Sequence, residues 1–280
     1  TEAFPFGRRQ MLFELLPLLN EARNAEWKPM IAASIRDIMQ EGRKEKRVIE
    51  SVNLVRDFYD LVLVHGDENL IRIEETLQGA ENFLHKVRYT GLVTPEASSK
   101  QQDPGFECDV LISVGGGAFG QELTRMALKA MEFSKRFPSN WLVTAGTELA
   151  DDDFLHLQQH CPDGMRIVRR IPDLASAMKS AKVSVSHAGY NTVADILRSG
   201  CRSVLYPYVG DKETEQLRRS QLMAEKGVAV ILEPGRLLPE NLASAIDEAA
   251  CMEPERVDLK LEGASQTAIL LQESYREVRL

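Results

Sequence analysis

The sequence has no run approaching ~18 apolar residues, so no membrane-spanning helix is expected. It also lacks the pattern of a secretory signal peptide. It has no CxxC pair, and its four cysteines, Cys108, Cys161, Cys201 and Cys251, stand far apart. Reduced thiols in a cytoplasmic protein are therefore expected, not a disulfide frame or a zinc knuckle. There is no excess of basic charge: 34 Lys and Arg stand against 42 Asp and Glu, a net of −8. A general nucleic-acid binder, which needs a basic face, is excluded on that ground. GxSxG is absent and the cysteines have no base nearby, so no Ser-His-Asp or Cys-His nucleophile is expected. No repeat recurs at a solenoid period.

What is present is ordinary for a globular chain. The 280 residues are 44% apolar and 27% charged, enough for one large or two ordinary domains. Strand-like runs alternate with helix-like ones. In the first part the strands read as Lys28–Ser34, Tyr59–Val64 and Lys86–Tyr89. A helix over Gln10–Ala25 contains Pro17, which predicts a kink or a split. In the second part the strands read as Val110–Val114, Trp141–Thr144, Met165–Arg169, Val183–Val185, Arg202–Tyr206 and Val228–Leu232. This alternation predicts an α/β chain with parallel sheets. The boundaries read as an incomplete first Rossmann-like domain at 1–93, a Pro/Ser/Gln-rich linker at 94–108, a second domain at 109–261, and a closing amphipathic helix at 262–280. The chain starts at Thr1 in the middle of a loop, with no earlier strand to begin a sheet, and further N-terminal sequence is expected.

The stretch from Ala181 to Gly227 organises the second part. Val183–Val185 is a short buried strand, and Ser-His-Ala-Gly breaks it. Asn191–Arg198 has helical spacing, with Val193, Ile196 and Leu197 on one face, and Gly200 is its C-terminal stop. Such a turn aims free backbone N–H groups and the positive end of a helix dipole at one spot, which suits an anion such as phosphate. A second Gly-rich turn, Gly115-Gly116-Gly117-Ala118-Phe119-Gly120, also follows a strand and opens a helix. No GK[ST] follows it, and no acidic residue sits where a dinucleotide fingerprint needs one, so neither a Walker loop nor an NAD site is supported. By itself it reads equally as a phosphate contact or as a structural turn.

The pattern HAGxNT, xxDxLxxG, xPxxxxxP and EQ resembles the donor half of GT-B glycosyltransferases, closest in pattern to MurG-like and family-28 enzymes. The resemblance covers about Asp109 to Leu232. It implies two Rossmann-like domains and transfer of a hexose-type sugar from a nucleoside diphosphate sugar, with uridine as the family's usual base. It implies that Gly115, Gly116 and Gly117 and the turn His187, Ala188, Gly189, Asn191 and Thr192 cradle the diphosphate. Asp195 matches the family's acidic ribose ligand, although Glu is usual there. Ile171 matches the position whose backbone reads the base, and Glu215 with Gln216 the pair that holds the sugar hydroxyls. From the residues alone other readings stand: Asp195 as a surface carboxylate, His187 as a structural hydrogen-bonder, DKETEQ as a solvated helix start.

The resemblance implies an inverting displacement without metal or cofactor. Asp151-Asp152-Asp153 contains a DxD pair, but in a polar run ahead of a helix. His156 and His160 share a helix face without evident further ligands. No catalytic base is assigned; Glu2 and Asp37 are the candidates. The acceptor is unidentified. The run Arg43-Lys44-Glu45-Lys46-Arg47 reads as a solvated helix, with peripheral contact to an anionic membrane as its alternative. Two other functions share the scaffold: a nucleotide-sugar hydrolase or epimerase, and a non-catalytic donor-binding partner subunit.

Overall fold

The computed structural model describes residues 1, 3–7, 11–39, 44–94, 106–115, 120–210, 214–255 and 257–279. The chain divides into two compact units, Thr1–Thr94 with Asp258–Leu280, and Pro95–Val257. Most of the expected linker, 95–105, lies outside the described residues.

The first unit runs α1 (Leu12–Asn24), β1 (Ala32–Arg36), α2 (Glu45–Phe58), β2 (Leu61–His65), α3 (Ile73–Thr76) and β3 (Val87–Tyr89). Its three strands are parallel in the order β1-β2-β3. Strand alternation puts Ala33, Ile35, Val62 and Val64 on one face, where they meet Phe4, Phe6, Tyr59 and Phe83. Pro17 lies inside α1 without splitting it. The carbonyl it deprives of a partner belongs to Phe13; both residues are exposed, so water can serve that group. β1 starts at Ala32, later than the sequence suggested; before it Lys28 turns the chain with φ 44.

The second unit runs β4 (Val110–Ser113), α4 (Gly120–Ala130), β5 (Trp141–Thr144), α5 (Asp151–Gln159), β6 (Met165–Val168), α6 (Leu174–Ser180), β7 (Val183–Ser186), α7 (Tyr190–Ser199), β8 (Ser203–Leu205), α8 (Glu215–Glu225), β9 (Ala229–Ile231) and α9 (Pro239–Ala249). The sheet is parallel throughout, in the order β6-β5-β4-β7-β8-β9. β4, β5 and β7 are buried at every residue, as a parallel sheet covered on both faces requires. On one face Val110, Ile112, Val143, Val183, Val185 and Val204 pack with Leu123 and Ala127 of α4 and Leu242 and Ile246 of α9. Gly200 ends α7 with φ 65, its N–H bonded to Ile196 O.

Asp247 of α9 ties the chain end beyond α4 into this layer. Its carboxylate accepts from Ser134 Oγ at 2.7 Å, Lys135 N at 2.8 Å and Arg136 N at 3.3 Å. Asp247→Ala should lower stability by about 1–2 kcal/mol in urea titration, because a partly buried turn loses its charged acceptor.

Residues 258–280 group with the first unit and end in α10 (Gly263–Arg279). The chain enters along the end of β3: Leu92 N donates to Lys260 O at 2.8 Å and Gly263 N to Leu92 O at 3.0 Å. Asp67 accepts from Lys260 N at 2.8 Å. Gly91 sits in the middle of this contact with φ +82, and a Cβ there would lie 2.5 Å from Lys260 O.

Candidate nucleotide-sugar site

From β4 the chain moves to β5 on one side, and from β7 to β8 on the other. The strand order therefore reverses between β4 and β7. Outside the carboxyl ends of such neighbours an open α/β sheet leaves a crevice. An open cleft of about 240 Å³ lies there, lined by Ser113, Val114, Gly115 and Gly120 from the β4 side. His187, Gly189 and Thr192 line it from the β7 side, with Leu174, Tyr208 and Gln216 closing it.

Two helices begin at this cleft. Gly120 is the first residue of α4, and Gly189 caps α7 with extended backbone, φ −64 and ψ 152. The first N–H groups of each helix have no intrahelical acceptor, and the dipoles add partial positive charge. Gly115 and Gly189 share a further property. Neither has left-handed backbone. Among the described residues, a Cβ at Gly115 would meet nothing within 4 Å, and one at Gly189 only Thr192 Oγ1 at 3.8 Å. Among the described residues, neither left-handed backbone nor a close neighbour calls for glycine at these positions. Glycine there leaves the backbone open to close approach.

The turn is held from behind. His187 Nδ1 lies 2.8 Å from Tyr206 O; a carbonyl only accepts, so Nδ1 carries the proton. Arg219 of α8 is wholly buried. Its Nη1 donates to Ala188 O at 3.1 Å and its Nη2 to Glu215 Oε1 at 2.7 Å. The guanidinium carbon also stands 5.8 Å from the centre of the Tyr190 ring. Gln216 Oε1 accepts from Tyr208 N at 3.2 Å.

Residues 111–268, more than half of the chain, match the glycosyltransferase family 28 C-terminal domain. The chain belongs to glycosyltransferase family 28. Among curated relatives, a UDP-N-acetylglucosamine–N-acetylmuramyl-(pentapeptide) pyrophosphoryl-undecaprenol N-acetylglucosamine transferase of Syntrophotalea carbinolica is 31% identical over 93 residues. That match covers 33% of this chain and 26% of the relative, so the chain spans about a quarter of that protein. Two solved structures share the fold. The calicheamicin glycosyltransferase CalG4 superposes with a TM-score of 0.62 at 17% identity, over 99% of this chain and 74% of its own. The spinosyn rhamnosyltransferase SpnG complexed with thymidine diphosphate gives 0.57 at 14% identity, over 94% and 78%. These are GT-B glycosyltransferases, and the mixed α/β fold with parallel sheets agrees with them.

Of the residues that the family-28 resemblance marks, the structure brings Gly115, His187, Gly189, Thr192 and Gln216 together around one cleft. Ala188 is buried behind it and Asn191 is exposed on the first turn of α7. Gly116 and Gly117 lie outside the described residues. Ile171 is buried beyond β6, 7% exposed, and is not among the cleft residues. The Glu215 carboxylate is engaged by Arg219. Asp195 lies one helical turn past Thr192, half-buried. Burial, and then the nearby Asp173, push its carboxyl up to about 6, with Arg198 acting the other way. Asp173 is held in place as the cap of α6, accepting from Ser176 N at 3.0 Å and Ser176 Oγ at 2.8 Å.

Sequence reasoning missed Ser113, Leu174, Tyr208 and Arg219. The first three carry no chemical signature, and Arg219 looks like any helix charge until its partners are known. Among the described residues no group of three His, Cys, Asp or Glu could hold a metal ion. Asp151 pairs with Arg169, and the rings of His156 and His160 stack with centroids 4.1 Å apart. Burial pushes the Cys108 thiol up to about 12, which leaves it unreactive. Asp37 is completely buried, its Oδ1 accepting from Ile38 N at 2.9 Å, and Glu2 lies outside the described residues. No described helix is long and apolar enough to cross a membrane.

Proposed function

We propose that the second unit is a donor domain that binds a nucleoside diphosphate sugar, and that the protein transfers a hexose-type sugar from a UDP-sugar to an acceptor hydroxyl. The observation that carries the reading is the pair Gly115 and Gly189, open to a ligand on both sides of one cleft, with neither left-handed backbone nor a close neighbour among the described residues to call for glycine. A diphosphate seated there accepts from the N–H groups opening α4 and α7. The same groups stabilise it more strongly as it departs with negative charge, which is the requirement for glycosyl transfer without a metal. A single displacement then inverts the anomeric carbon. Thymidine diphosphate in the neighbour SpnG supports the ligand class, and the relative's UDP-N-acetylglucosamine supports uridine.

In this reading Gly115–Gly117 and 187–192 hold the diphosphate, Ile171 the base, Asp195 the ribose and Gln216 the sugar. The first unit, 1–93 with the helix at 262–280, is the acceptor side. The test is calorimetric titration with UDP, GDP and dTDP, each with and without EDTA. Saturable binding of UDP ahead of the others, unchanged by EDTA, is expected. Binding of none of the three would overturn the donor site. Binding that EDTA abolishes would overturn the metal-free mechanism.

A further inference from the structure

We infer that Arg219 is a positioning residue for the diphosphate turn, a role that rests on the donor-site reading above. A buried guanidinium is expensive unless it is paired and hydrogen-bonded. Arg219 is 0% exposed and joins two segments that are separate in sequence. One is the turn before α7, through Ala188 O; the other is the start of α8, through Glu215 Oε1. Tyr190, the first residue of α7, covers it.

The consequence is geometric. Ala188 O fixes the peptide plane just ahead of Gly189, and that plane sets the direction of the N–H groups that follow it into the cleft. Glu215 precedes Gln216, which lines the same cleft. One planar fork therefore holds the diphosphate turn and the α8 end of the cleft in a common frame. Lys could not do this, because an ammonium is a point charge without a rigid two-pronged geometry. Stability alone does not call for an arginine here, since an apolar side chain of similar volume often serves a buried site equally well.

The experiment compares two ligands on three proteins. The ligands are whichever of UDP, GDP and dTDP the unmodified chain binds best, and its nucleoside, which has no phosphate. The proteins are the unmodified chain, Arg219→Met and Glu215→Ala. For Arg219→Met, diphosphate affinity is expected to fall about tenfold or more, the scale of one charge-assisted hydrogen bond, while nucleoside affinity holds. Glu215→Ala should shift the same ratio in the same direction. These diphosphates carry no hexose, the group that the family resemblance gives Glu215 to hold, so a loss of diphosphate affinity with nucleoside affinity unchanged points to Glu215 acting through Arg219. A merely structural arginine would lower both affinities together. Equal diphosphate affinity in the unmodified chain and Arg219→Met overturns the role of Arg219 while leaving the donor site standing. If Arg219→Met does not fold, an unchanged ratio in Glu215→Ala overturns it. Failure of the unmodified chain to bind any of the three diphosphates overturns the donor site, and this role with it.

Discussion

Gly189→Val is expected to weaken diphosphate binding about 100-fold and leave the fold nearly untouched. Among the described residues the new Cβ meets only Thr192 Oγ1, and the backbone, φ −64 and ψ 152, accepts any residue. The stability change should stay within about 1 kcal/mol, the scale of replacing a glycine N-cap with a poorer one. The added methyls, however, stand in the cleft that Gly189 lines. They keep phosphate oxygens from the N–H groups behind them. Losing two charge-assisted hydrogen bonds of ~1.5 kcal/mol each amounts to about 100-fold in affinity. Gly115→Val should behave alike.

Gly91→Ala supplies the contrast. There the backbone is left-handed and the added carbon would collide with Lys260 O. It should destabilise the first unit by roughly 3 kcal/mol. Thermal melts and titrations on the three variants check both halves of the argument. Normal binding by Gly189→Val would remove the observation on which the donor site stands.

The contrast also shows what a sequence discloses. Strand, glycine turn and helix are fixed by neighbours along the chain, so the turn before α7 and the stop at Gly200 were legible. The same is true of the parallel α/β class, which follows from the alternation of apolar runs. The resemblance to the family rested on those local patterns. The boundary of β1 was not legible, because the run from Lys28 reads as one continuous segment while the strand begins only at Ala32, where pairing with β2 starts. Nor was the bond between Glu215 and Arg219. DKETEQLRR reads as a solvated helix until folding puts Ala188 O within reach of Arg219. Electrostatics were the least legible of all, since the environment of Asp195 is made first by its burial and then by Asp173, the cap of a different helix.

Asp195 should be a source of instability in the empty protein. Its carboxyl titrates near 6 instead of its ordinary 3.8, for reasons of burial first and Asp173 second. Between those values the folded chain holds a proton that the unfolded chain has released. Stability therefore falls as pH rises from about 4 to about 7, by roughly 1–3 kcal/mol. Asp195→Asn removes the titration. It should be more stable than the unmodified chain at pH 7.5, and the difference should vanish below pH 4. Nucleotide affinity should move the other way. A charged acceptor for ribose hydroxyls is worth about tenfold over a neutral one, so Asp195→Asn should bind UDP about tenfold more weakly at pH 7.5. The gap should close below pH 5, where the native carboxyl is itself protonated. A side chain that strains the empty protein and strengthens the complex is one retained for the ligand. Melts and titrations at pH 4, 5, 6 and 7.5 decide the matter. If Asp195→Asn is less stable at pH 7.5 and binds UDP as well as before, Asp195 is a structural carboxylate and the ribose assignment falls.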